Sequence, residues 1–162
     1  IPSLKKMNLK HKDFANKSVQ SLLSNQLEHV NVYPVITSQS IIAYNDGKGS
    51  FTTKALPVQV QLSSLNGVAI EDWNNDGMLD IYAAGNFFDL LPQFCRVDAS
   101  FGNLLLNEKN NDFIVGSPSE TGVSIHGQVK DIQPITYQGE KGFLVLQNEH
   151  IPVFIKKTKI KK

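Results

Sequence analysis

The 162-residue sequence predicts an all-β fold, in which β-propeller blades of four antiparallel strands carry a short helical insertion near the N-terminus. Apolar, strand-length segments recur along most of the chain, separated by Gly, Asn and Asp. Two pairs of these segments match one another at an interval of about 60 residues, the length of a four-stranded blade. Hydrophobic residues make up 41 % of the chain, enough for a real core.

The elements follow in order. "SVQSLLSNQLEHV" (18–30) places Val19, Leu22, Leu23, Leu27 and Val30 at helical spacing. Ser18 and Ser24 can each cap a turn, so one helix or two short ones are expected within a helical insertion over 1–34. "NDGKGS" (45–50) carries a hairpin signal, since Asn and Gly tolerate the positive φ of a tight turn. It falls in a partial blade over 35–62. "GVAIED" (67–72), "LDIYAAG" (79–85), "NLLLN" (103–107) and "DFIVG" (112–116) read as the four strands of a blade over 67–116. "GQVKDIQPI" (127–135), "GFLVLQN" (142–148) and "IPVFIKK" (151–157) form a final blade over 127–157. "YNDGKGSF" (44–51) matches "LNEKNNDF" (106–113), and 67–86 matches 127–148, which puts Asp131 where Asp72 would fall. About two and a half blades result. They cannot close a ring, so one apolar blade face is expected to need cover from further blades of a longer parent chain. The chain opens on Ile1 without an initiator Met or export signal, as expected of a fragment or a processed chain.

Charge is distributed unevenly. Residues 1–17 hold five Lys and one acid, and residues 156–162 hold five Lys and no acid. The body between them has six basic and fourteen acidic residues, which suits cation binding and argues against a nucleic-acid partner. No apolar run is long enough to span a membrane as a helix. Cys95 is the sole cysteine, so no disulfide within the chain and no thiolate zinc site can form; a buried or inert thiol is expected.

"AIEDWNNDGMLDIYAAG" (69–85) crowds three acids and two asparagines into the span from Asp72 to Asp80. Side-chain oxygens at Asp72, Asn74 and Asp76 occupy loop positions 1, 3 and 5. Gly77 at position 6 permits a sharp turn, Met78 offers its backbone carbonyl, and Asp80 stands at position 9. Hard oxygen ligands in a flexible loop suit Ca²⁺. An EF-hand needs a bidentate acid at position 12 and flanking helices, whereas position 12 here is Ala83 in a strand.

This loop, its flanking strands and the "NDGKGSF" hairpin resemble FG-GAP/VCBS repeats. These build the propellers of integrin α subunits and of secreted bacterial proteins related to cartilage acidic protein. The resemblance covers nearly the whole chain and is to the C-terminal end of large bacterial VCBS-repeat proteins, with "GNFFDLLPQFCRVDASFG" and "GQVKDI" similar to that subgroup. It implies calcium ligands at Asp72, Asn74, Asp76, the Met78 carbonyl and Asp80, and an extracellular or cell-surface location. It implies a non-enzymatic module that binds a protein or glycan or acts as a scaffold. The alternative is a non-catalytic support for a polysaccharide-acting enzyme whose catalytic part lies outside this chain. "KDIQPITYQGEKG" keeps only Asp131, so no ion is expected there. "NEKNND" (107–112) departs from the Gly-rich hairpin.

The long connection "NFFDLLPQFCRVDASF" (86–101) is expected to fold its phenylalanines inward as a small satellite core, with Arg96 and Asp98 as an ion pair. In a propeller it would emerge, with segment 18–30, on the ligand-binding face opposite the acidic hairpin. "GVSIHG" (122–127) misses the G-x-S-x-G spacing of a nucleophile elbow by one residue, so His126 reads as a loop or surface residue. Asn16-Lys17-Ser18 fits a glycosylation sequon.

Overall fold

Short strands ended by Gly, Asn and Asp assemble into three antiparallel sheets in a computed structural model of the chain, which describes residues 2–23, 26–27, 30–109 and 112–157. Residues 1–38 and 39–162 form two separate units. The first holds three short helices, α1 (Pro2–Met7), α2 (His11–Ala15) and α3 (Val19–Leu23). Ser18 caps α3: its hydroxyl accepts the Ser21 N–H at 3.2 Å, as the sequence suggests. Ser24, the second expected cap, lies outside the described residues. Neither α2 nor α3 buries a side chain, which fits helices too short to be stable by propensity alone.

The second unit contains the sheets. β1 (Ile41–Asn45) pairs with β2 (Phe51–Ala55). β3 (Leu65–Glu71), β4 (Asp80–Gly85), β5 (Asn103–Glu108) and β6 (Asp112–Val115) form a four-stranded meander. β7 (Val129–Tyr137), β8 (Glu140–Gln147) and β9 (Val153–Lys156) form a three-stranded one. Turn chemistry sets the hairpins. In the β1–β2 turn the Asp46 carboxylate accepts the N–H groups of Lys48 (2.7 Å) and Ser50 (3.0 Å), which hold its pKa below the usual range. Gly47 and Gly49 supply φ of 75° and 92°. The β7–β8 turn is two residues, Gln138 (φ 50°) and Gly139 (φ 80°), the positive-φ pair that matches strand twist.

The central sheet is covered on both faces. Every residue of β4 is buried, so the strand reads as an apolar run rather than an alternation. On one face Tyr82, Ala84 and Leu104 join Val129, Ile132, Phe143, Val145 and Ile155 of the third sheet. On the other, Ile81, Ala83 and Leu105 join Leu56 and Val60, with Ile42 and Leu65 packed against them. The first contact is shaped by size: a Cβ on Gly67 would stand 2.9 Å from Ile132 Cγ1 and 3.3 Å from Val129 Cγ1, so a small residue lets the sheets meet.

The hairpins β3–β4 and β7–β8 share their irregularities. Each carries a register shift near its start, between Leu65 and Gly67 and between Val129 and Asp131. Each is closed by an asparagine N–H, Asn86 to the Ser64 carbonyl and Asn148 to the Gln128 carbonyl. This register corrects one correspondence expected from sequence. Asp131, paired with Leu146 just after the bulge residue Lys130, takes the place that Gly67 holds opposite Ala84 in β3–β4, and not that of Asp72. Matching the segments end to end misses this, because the β3–β4 loop is longer than the β7–β8 turn. The pair Asn45–Phe51 in β1–β2 is likewise mirrored by Asn107–Phe113 in β5–β6.

Candidate metal centre

The acidic loop spans 72–79 and joins Glu71 at the end of β3 to Asp80 at the start of β4, which pair with each other. Its backbone winds so that successive N–H groups turn in toward the preceding side chains. Asp72 accepts the N–H of Asp76 at 3.1 Å through Oδ1 and of Gly77 at 3.0 Å through Oδ2. Asn74 Oδ1 accepts the Asp76 N–H at 2.9 Å, and Asp76 Oδ1 accepts the Met78 N–H at 2.8 Å. Asn74 Nδ2 donates to Asp76 Oδ2 at 2.7 Å. Asn75 and Gly77 take φ of 62° and 88°; Asn tolerates this region and Gly has no Cβ to clash there. The structure thus gathers Asp72, Asn74 and Asp76 into one turn with Asp76 facing solvent.

Asp80, the remaining expected side-chain ligand, lies on the inner side of the turn. It is 1 % exposed and backs the loop from inside. Oδ2 accepts the N–H groups of Trp73 (2.8 Å) and Asn74 (3.3 Å), and Oδ1 that of Asn107 on β5 (2.8 Å). Burial pushes its pKa up, the three N–H groups oppose that, and the charge of Asp76 adds to the rise. In the metal-free protein this carboxylate binds its proton more readily folded than unfolded. Its contribution to stability is therefore greatest in acid and declines as pH rises from the ordinary Asp range through the raised value. Asp80→Asn is expected to cost about 1–3 kcal/mol, because one side of the amide presents N–H to backbone N–H and leaves buried donors unpaired. Urea denaturation in metal-free buffer checks this; an unchanged midpoint would show that the three bonds carry no weight.

Two further contacts fix the loop. Trp73, 1 % exposed, stacks on Phe143 with centroids 4.8 Å apart, anchoring the loop in the core. Lys157, beyond β9, donates to the Asp72 carbonyl. Among the described residues no three His, Cys, Asp or Glu side chains form a ready metal-binding group. The oxygen set here also draws on an asparagine and a backbone carbonyl. Asp72, Asn74, Asp76, the Met78 carbonyl and Asp80 all offer hard oxygen donors, so the donor chemistry fits a hard divalent cation, with Asp80 at the buried side of the set. Comparison of the chain with protein-family models, with curated proteins and with solved structures finds no match.

The long connection departs from expectation. Phe87, Phe94 and Phe101 are 37 %, 65 % and 47 % exposed, so they do not form a satellite core. Among the described residues Arg96 and Asp98 make no ion pair; Arg96 lies over the Phe88 ring, 5.1 Å from its centroid. Cys95 is exposed rather than buried, with φ 63°. His126 is an exposed loop residue, as its sequence context suggests. Sequence reasoning passed over the residue that organises this region, Asn86. It is 1 % exposed and takes φ of 83°. Its Oδ1 accepts from Ser63 Oγ (2.8 Å) and the Ser100 N–H (3.0 Å). Its Nδ2 donates to the carbonyls of Ser100 (2.8 Å) and Gly127 (3.1 Å). The recurrence of Asn at the end of both matched segments, 86 and 148, was the available signal.

Proposed function

We propose that this chain is a calcium-binding FG-GAP/VCBS-type repeat module of an extracellular protein, with a binding or scaffolding role toward a protein or glycan. The winding of the 72–78 turn carries the reading: it sets the oxygens of Asp72, Asn74 and Asp76 together on a loop held from inside by Asp80. The shared registers of β1–β2 with β5–β6, and of β3–β4 with β7–β8, support a repeated blade. Further blades of a parent chain would cover Leu144, Leu146 and Phe154, which lie only half-buried on the third sheet.

Calorimetric titration is expected to show one Ca²⁺ per chain. The β7–β8 turn adds none, since Gln138 and Gly139 carry no carboxylate. Calcium at a hundredfold excess over its Kd should stabilise the fold by about 2.7 kcal/mol. Asp76→Ala should abolish most of that gain; in metal-free buffer it should cost only about 1 kcal/mol, because the bonds its carboxylate accepts from the Met78 N–H and Asn74 Nδ2 are made at the exposed surface. Absence of calcium uptake, or two equivalent sites, would overturn the reading.

A further inference from the structure

A cleft of about 870 Å³ opens between three segments of the second unit: the 86–102 connection, the 122–128 segment before β7, and the turn after β8. We propose that it binds a carboxylated sugar, a deepening that rests on the glycan-binding reading above. Its volume lies within the roughly 300–1,000 Å³ of small-molecule sites.

The lining divides into an anion-binding part and an apolar part. Arg96 is exposed and held over Phe88, so its planar fork is oriented before a ligand arrives and matches a carboxylate through two parallel hydrogen bonds. His126, whose Nε2 meets Ser124 Oγ at 3.2 Å, and His150 line the same space and bring imidazole nitrogens to it. Asp98 is also present, and its negative charge disfavours a dianion such as a phosphate monoester over a single carboxylate. Phe101, exposed, supplies an apolar ring of the kind that packs against the C–H face of a pyranose, while Phe88 serves as the platform beneath Arg96. Phe101 meets His126 edge-on with centroids 4.5 Å apart. Ser124 and Gln147 offer a hydroxyl and an amide to sugar hydroxyls.

The walls are tied together. Asn86 joins Ser100 to Gly127, and the Ile125 N–H donates to the Phe101 carbonyl at 2.7 Å. Phe87 and Val97 exchange both backbone bonds, at 2.8 and 3.0 Å, which fixes the base of the loop that bears Arg96. A cleft braced in this way loses little freedom on binding.

The test is an NMR titration of the whole chain with tri-galacturonate, observing the imidazole signals of His126 and His150, run with and without calcium. Both imidazoles should shift saturably. A neutral trisaccharide of galactose and the peptide triglutamate should each leave them unmoved at the same concentration. Arg96→Gln should weaken binding tenfold or more, Arg96→Lys by less, and Phe101→Ala several-fold; Arg96 and Phe101 are exposed, so the variants should fold. No shift with tri-galacturonate, equal binding of the neutral sugar or of triglutamate, or full affinity in Arg96→Gln would overturn the proposal. Sugar binding retained in a chain that takes up no calcium would overturn the metal reading alone; calcium uptake without sugar binding would overturn this one alone.

Discussion

Replacing Asn86 by alanine is expected to destabilise the second unit by about 3–5 kcal/mol, the upper range for a single substitution. Its side chain makes four hydrogen bonds to three segments that are otherwise distant in sequence. Truncation leaves the Ser100 N–H, the Ser100 carbonyl and the Gly127 carbonyl without this partner inside the fold, where each orphaned group costs about 1–3 kcal/mol. Alanine also tolerates φ of 83° less well than asparagine. Asn86→Asp should fare no better, since it keeps the acceptor, loses both donated bonds and buries a charge. Urea denaturation followed by fluorescence of the sole tryptophan, Trp73, measures the loss. A change under about 1 kcal/mol would show that the amide does not hold these segments together.

Phe143→Ala should have a comparable effect, about 4–5 kcal/mol. Phe143 is 1 % exposed and lies between two other rings. It stacks on Trp73 at 4.8 Å and 15°, and on Tyr82 at 5.4 Å and 19°. The substitution empties a core site and removes both stacks. Because Trp73 is a residue of the acidic loop, the cavity would also loosen the loop, and calcium affinity should fall together with stability. Phe143→Leu keeps most of the volume and should cost about 1–2 kcal/mol. A Phe143→Ala protein with unchanged Trp73 emission and unchanged stability would refute the anchoring role.

The strands were legible because Gly, Asn and Asp punctuate apolar runs at nearly every boundary, as in "NDGKGS" and "DFIVG". The acidic turn was legible for the same reason, since its geometry is local and each oxygen meets an N–H two to five residues away. What sequence could not show depends on distant partners. Asp80 turns inward because a buried N–H of Asn107, 27 residues on, waits for it. Asn86 matters through Gly127, 41 residues on. The fold-back of the connection rests on the pairing of Phe87 with Val97, ten residues apart, and its phenylalanines at 87, 94 and 101 stay exposed. The register of Asp131 was misjudged because bulge position, fixed by pairing with β8, is not a property of composition.

The close meeting of Gly67 with Ile132 and Val129 has an evolutionary consequence. The space between these two strands is shared, so neither side can change size alone. A larger residue at 67 survives only if 132 or 129 shrinks, and a smaller residue at 132 opens a void that alanine or serine at 67 would fill. Among homologues, residue volumes at 67 and 132 should therefore covary inversely, although 65 positions separate them. The exposed neighbour Val68 should drift without such a counterpart.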